Sequence, residues 1–315
     1  MNSRTHTITP GVEYHRVLAG EDRRIVRGIL AIALLLGGLL LISIVVVAAA
    51  TALDGAIGTD GGPEYSPLIH AAGLASVGFL IPWSMLIQRW LYGVKGPSLH
   101  SVISRFRFDV FGRAFVLILP TWIVYLAVSY SAPLPEGTTW PNTDVLWFIL
   151  ASLLLTPLQA AGEEYGYRGL VFRVAGGWAR GPRAGLIVGI LVSSAVFAVI
   201  HFSTDMWLNV WYFVFAIGTA LIAWRTGGLE VAIVLHAGLN TLTFVIEAAL
   251  RQDFSVLADR ASGVGDVLSI LGPAIVVVLA TVVVWMLTRR TGPARTPSAV
   301  GSSVEEGRAG KPITV

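Results

Sequence analysis

Eight apolar runs dominate the 315-residue sequence, each close to the ~20 residues an α-helix needs to cross a bilayer. They fall at about 28–53, 68–92, 110–131, 144–162, 184–202, 207–225, 229–249 and 265–288. The fourth continues as helix past a pair of carboxylates. Gly, Pro and charge punctuate the runs, as in "DGAIGTDGGPEYSP", "SAPLPEGTTWPN", "GGWARGPR" and "RTGG". The expected fold is therefore all-α, a polytopic membrane helical bundle of about eight transmembrane helices. Residues 1–27 are expected as a cytoplasmic N-terminal segment and 28–288 as the transmembrane domain, with its core at about 145–250. Residues 289–315, polar and rich in small side chains, are expected as a disordered cytoplasmic tail.

Composition supports the membrane reading. The chain is 55% hydrophobic and 13% charged, whereas a soluble domain carries roughly 25% charged residues. There is no cysteine, which excludes disulfides, thiolate metal ligands and a cysteine nucleophile. No cleavable signal with a small-residue cleavage site is seen, so the first apolar run is expected to remain as a helix. Assigned to their nearest loops, 20 of the 22 Lys and Arg residues fall on alternate segments. The positive-inside rule then places both termini in the cytoplasm of a multi-pass cell-membrane protein. The longest loop, about 93–109, is basic and is expected to lie as an amphipathic stretch on the lipid surface.

Within the spans, ionisable groups are few. The fourth run leads into Glu163, Glu164 and Arg168, the fifth carries His201, and the seventh carries His236, Asn240 and Glu247. A charge at a helix centre costs roughly 2.5–3.5 kcal/mol on insertion scales. Each group has a bland reading as helix–helix glue or a neutralised pair. Together, on three of the core helices, they mark a functional site. His236 and Asn240, four apart, share a helical face, and Glu164 and Arg168 are spaced to pair along theirs. Glu163 then points about 100° away from Glu164. Counted from the turn near Arg180, Glu163 and His201 lie within roughly 6 Å of the same height if the fourth helix continues to about Trp178.

"EEYGYR" has the form E-E-x-x-x-R, "FAVIH" the form F-x-x-x-H and "HAGLN" the form H-x-x-x-N. In this order they resemble the CPBP family of intramembrane proteases, the CAAX protease and bacteriocin-processing group that includes the type II CAAX prenyl endopeptidases. The similar region covers about 145–250. The resemblance implies an intramembrane endopeptidase with Glu163 as general base and His201 helping to hold a water. His236 and Asn240 would be oxyanion donors, and Glu164 and Arg168 a supporting pair. Such chemistry needs an activated water and donors aimed at a developing oxyanion. A metal-free mechanism without a cofactor is preferred. The competing account places zinc or another divalent metal on Glu163, His201 and His236, although the short H-E-x-x-H arrangement is missing.

Two other classes stand beside the protease. One is a transporter using the carboxylates and histidines as a proton or cation path, for which no inverted repeat is seen. The other is a non-enzymatic immunity or scaffold protein, which loss of an expected catalytic residue would favour. The expected partners are membrane lipid and a membrane-associated peptide or protein substrate, with no nucleic acid. Substrate identity, prenylation and oligomeric state are not legible.

The charge alternation makes the topology testable. Reporter fusions at residues 60, 138 and 256 should face outward, and fusions at 100, 180 and 300 inward. Finding residues 100 and 138 on the same side would break the eight-helix topology.

Overall fold

The computed structural model of the chain describes residues 8–57, 65–132, 137–254 and 267–298. It is all-α, with eight helical segments long and apolar enough to span a bilayer. The elements are α1 (Ile25–Ile57), α2 (Pro67–Gly78), α3 (Leu80–Tyr92) and α4 (Phe108–Ser129). They continue with α5 (Asn142–Glu163), α6 (Phe172–Gly176), α7 (Pro182–Val199), α8 (Met206–Thr226), α9 (Glu230–Ala249) and α10 (Val267–Thr288). A π-helical stretch, Glu164–Val171, joins α5 to α6. The fourth span is thus one rod from Asn142 to Gly176, and α2 and α3 form a single span interrupted at Phe79.

Local chemistry accounts for the helix ends. Ser66 Oγ accepts the amide of Ile69 at 3.2 Å, with Pro67 at the first helical position. Asp205 Oδ1 accepts the amides of Trp207 and Leu208 at 2.7 and 2.9 Å and starts α8. Gly227, with φ +68°, ends it in the left-handed conformation.

The helices are apolar toward lipid and polar toward each other. Leu153, Leu154 and Leu158 of α5 are exposed, whereas Ser152, Thr156, Gln159 and Glu163 are buried. That inversion is what a bilayer requires, because lipid rewards no polar contact and a neighbouring helix does. Helix α5 packs on α2 and α9, and α9 packs on α4 and α8. Half of the α9 span is buried against 11% for α1, which makes α9 the central helix.

Two expectations at the basic end of the bundle, for the loop after α3 and for the start of the tail, are corrected, and the N-terminal segment is found packed between them. The loop after α3 is docked, not spread on lipid. Ser98, Leu99, Ser101 and Val102 are buried, and Arg107 Nε and Nη2 pair with Glu230 at 2.9 and 2.6 Å. The N-terminal segment is a plug. Tyr14 and His15 are fully buried, Tyr14 Oη donates to Leu99 O at 2.5 Å, and Arg16 Nη1 donates to Gly176 O at 2.6 Å. Residues 289–298 of the expected tail are also anchored, with Thr296 N donating to Val12 O at 2.9 Å and Arg295 pairing with Glu13 at 3.2 Å. The remainder of that tail lies outside the described residues. In each case a few polar anchors turn a polar segment into packed structure, a pattern that hydropathy does not reveal.

Just before the carboxylates, α2 and α5 touch through backbone. A Cβ on Gly162 would collide with the carbonyl oxygen of Val77 and lie 3.2 Å from the Gly78 Cα. Gly162→Ala should therefore lower the thermal midpoint in detergent, by about 1–3 kcal/mol of overpacking. Its gain in helix propensity, about 1 kcal/mol, does not offset this. Gly37, in α1, has nothing within 4 Å of such a Cβ. Gly37→Ala should leave the midpoint unchanged or raise it, and equal losses from both substitutions would contradict the packing assigned to Gly162.

Candidate active site

Five polar groups, four of them buried and Asn240 half-buried, meet where α5, the π-helical stretch and α9 cross. Glu163 is 7% exposed and Glu164 not at all. Gln159 Nε2 donates to Glu163 Oε1 at 2.7 Å, and Asn240 Nδ2 donates to Gln159 Oε1 at 3.3 Å. The ring of His236 lies between the two carboxylates. Its Nδ1 is 2.9 Å from Glu164 Oε1 and its Nε2 is 3.6 Å from Glu163 Oε2. The first is a hydrogen bond in which Nδ1–H donates, and the second is an ion-pair distance beyond hydrogen-bond range.

Helical phase separates the adjacent carboxylates. Glu163 lines a cavity of about 570 Å³ together with His201, His236 and Asn240. Glu164 does not line it and is turned back into the protein. There it faces Arg168 Nη1 at 3.4 Å. Arg168 Nε donates to Thr219 Oγ1 of α8 at 2.8 Å, and its guanidinium covers the Phe197 ring at 4.1 Å. The π-helical stretch begins at Glu164 and contains Gly166 and Gly169, residues that weaken an α-helix by about 1 kcal/mol each. π-Helical turns occur frequently at functional sites.

His201 lies just beyond the end of α7 and not within a helix, as its run of residues 184–202 suggested. Its Nδ1 is 2.7 Å from Phe197 O. A carbonyl only accepts, so Nδ1 carries the hydrogen, and in the neutral imidazole Nε2 is then the lone-pair nitrogen. Tyr212 of α8 stacks on the imidazole at 3.9 Å and further limits its rotation.

Four of the six residues singled out by their motifs therefore share one cavity, and Glu164 and Arg168 stand behind it. Gln159 was missed, although it lies four residues before Glu163 on the same face. Its signal was the spacing Ser152, Thr156, Gln159, Glu163, a polar stripe at helical period in an apolar run. Tyr212 had no signal, being one aromatic among many.

With this geometry in place, comparison with known proteins is specific. Residues 142–242 match the Rce1-like family, that of type II CAAX prenyl endopeptidases. The Rce1-like segment runs from the start of α5 to just past Asn240 and contains every residue of the cluster. The match is consistent with the CPBP family and supports a CAAX-protease-like intramembrane endopeptidase at the family level. An uncharacterized protein, YyaK of Bacillus subtilis (strain 168), is 26% identical over 101 residues, 30% of this chain. The shared region spans 32% of that relative's length. No solved structure matches the chain.

Among the described residues, no three His, Asp or Glu side chains converge as a metal-binding group. His236 Nδ1 is engaged by Glu164, and its Nε2 is 3.6 Å from Glu163. Among the described residues, Glu163, His201 and His236 are not converged into a three-ligand set.

Arg168 bears on stability before chemistry. Arg168→Ala would leave Glu164 buried with His236 alone and remove the stacking on Phe197. Breaking one partner of a buried pair costs about 3–5 kcal/mol, so folded yield and thermal midpoint should both fall. Arg168→Lys should rescue part of the charge but neither the stacking nor the Thr219 bond. An Arg168→Ala protein of parental stability would contradict this role.

Proposed function

We propose that the chain is an intramembrane endopeptidase that hydrolyses a peptide bond of a membrane-associated peptide or protein by water activated at Glu163. One observation carries the reading: Glu163, His201, His236 and Asn240, contributed by two spans and the segment just past a third, line a single cavity. Gln159 occupies Glu163 Oε1, so Oε2 is the oxygen that acts as base. Glu163 takes a proton from water, and the hydroxide attacks the scissile carbonyl carbon. The lone pair of His201 Nε2 orients that water. Asn240 turns its amide from Gln159 to the oxyanion. His236, when doubly protonated, donates from Nδ1 to Glu164 and from Nε2 into the cavity beside it. The proton held by Glu163 then passes to the leaving nitrogen, and the C–N bond breaks. Glu164 and Arg168 act through His236 and the helix frame, without touching substrate.

The mechanism uses no metal and no cofactor. The segment that matches the protease family holds all of these residues, which favours hydrolysis over an ion path. Prenylation of the substrate is not part of the proposal.

Glu163→Gln preserves volume and removes the base. In purified protein it should fold normally and lose about 100- to 10,000-fold in turnover of a cleaved peptide. Asn240→Ala should cost about 100- to 1,000-fold if its amide stabilises the oxyanion. A strong chelator should leave activity intact, and elemental analysis should find no stoichiometric zinc. Parental turnover by Glu163→Gln would refute the catalytic assignment. Zinc lost together with activity on chelation would refute the metal-free mechanism alone.

A further inference from the structure

The cavity has a second acidic end that the chemistry above does not use. Glu247 lines it two helical turns beyond Asn240 on the same face of α9, about 10 Å away along the axis. Tyr130 Oη, at the C-terminal cap of α4, donates to Glu247 Oε1 at 2.9 Å and fixes the carboxylate. Among the described residues, Glu247 Oε2 is buried and has no hydrogen-bond partner. The nearest arginine along the chain, Arg251, is directed elsewhere, to Trp140 O and Asn142 Oδ1. No Lys or Arg lines the cavity among the described residues. The wall between the two ends is mostly apolar and aromatic, with Leu126, Leu239 and Phe244, and carries the Thr243 hydroxyl.

A buried carboxylate with one oxygen unmatched is costly, and either protonation or the arrival of a positive partner relieves that cost. An extended peptide advances about 3.3 Å per residue, so a chain whose scissile carbonyl lies at Asn240 reaches Glu247 in about three residues. The length of a Lys or Arg side chain shortens that to two. We infer that Glu247, held by Tyr130, is a specificity subsite that binds a cationic group of the substrate two or three residues from the cleaved bond. This inference rests on the endopeptidase reading. The cation is a Lys or Arg side chain or a peptide's terminal ammonium, which share the same chemistry.

The test uses the full-length protein in detergent or lipid, with a random peptide library whose cleavage products are sequenced by mass spectrometry. Cut sites should be enriched in Lys or Arg two or three positions from the cleaved bond, on one side. Matched peptides carrying Lys, norleucine or Glu at that position then give kcat/KM. Lys should exceed norleucine at least about tenfold, as expected for a hydrogen bond to a charged group, and Glu should be poorest. Glu247→Gln should abolish the Lys preference, so that the Lys and norleucine peptides are cleaved with similar kcat/KM. Tyr130→Phe should weaken the preference without removing it, and covers the case in which Glu247→Gln folds poorly. N-acetylation separates the sources: a side-chain cation survives it, and a terminal ammonium does not. Cleavage without a cation preference, or a preference that survives Glu247→Gln, overturns this inference and leaves the endopeptidase reading intact. No cleavage of any library member, or cleavage unaffected by Glu163→Gln, overturns both.

Discussion

Glu164 is a carboxylate that solvent does not reach, and the bundle is arranged around the need to match it. An ionised carboxylate moved into an apolar medium without partners would be prohibitively costly. Its partners come from different elements. Arg168 lies one turn on, and His236 comes from α9. Arg168 in turn reaches Thr219 of α8 and stacks on Phe197 of α7. One buried charge thereby sets the mutual placement of four spans. Lipid supplies little drive for helix association, so polar contacts of this kind carry much of the specificity of assembly.

The second constraint is register. Helices α5 and α9 run antiparallel, and each bears polar residues at spacings of four, three and four. On α5 these are Ser152, Thr156, Gln159 and Glu163, and on α9 they are His236, Asn240, Thr243 and Glu247. Glu163 meets His236, and Gln159 meets Asn240. Continuing that register sets Thr156 level with Thr243 and Ser152 level with Glu247. The stripes therefore act as a polar seam, the counterpart in lipid of an apolar seam in water. Slipping either helix by one turn would set Glu163 against Asn240 and leave His236 without its carboxylates.

Much of this was legible in advance, for identifiable reasons. Span number and rough limits follow from hydropathy, since a bilayer imposes a length that each run must meet. Continuation of the fourth span beyond its charges followed from charge placement and motif, and the helix ends at Gly176, close to the expected Trp178. What escaped notice depends on contacts distant in sequence. The plug formed by Tyr14 and Arg16, the docked loop carrying Arg107 and the anchoring of Thr296 each rest on one or two hydrogen bonds to remote partners. The π-helical stretch escaped because its residues read equally well as α-helix. His201 proved to lie past α7 because an apolar run does not show where a helix stops hydrogen bonding. Gln159 was within reach through its spacing from Glu163, but it lies outside the three motifs that singled out the other residues.

The arginines near the site clarify how its charge is distributed. Arg168 and Arg173 follow the two glutamates closely in sequence, yet neither lines the cavity. Arg168 is turned behind the Phe197 ring and Arg173 beneath Tyr14, with guanidinium-to-ring distances of 4.1 and 4.2 Å. Aromatic faces can hold a guanidinium where water is excluded, which lets the fold keep its cations without exposing them to the cavity. An arginine in direct contact with Glu163 would occupy the lone pairs that a base needs. The neutral Gln159 amide supplies orientation instead, with a hydrogen bond that leaves the second oxygen open. The same sequestration leaves the cavity wall with carboxylates, imidazoles, amides and hydroxyls as its polar groups, and with no cation among the described residues. Its field therefore favours cations along the whole length from Glu163 to Glu247, and that bias is set by where two aromatic rings lie as much as by where the acids do.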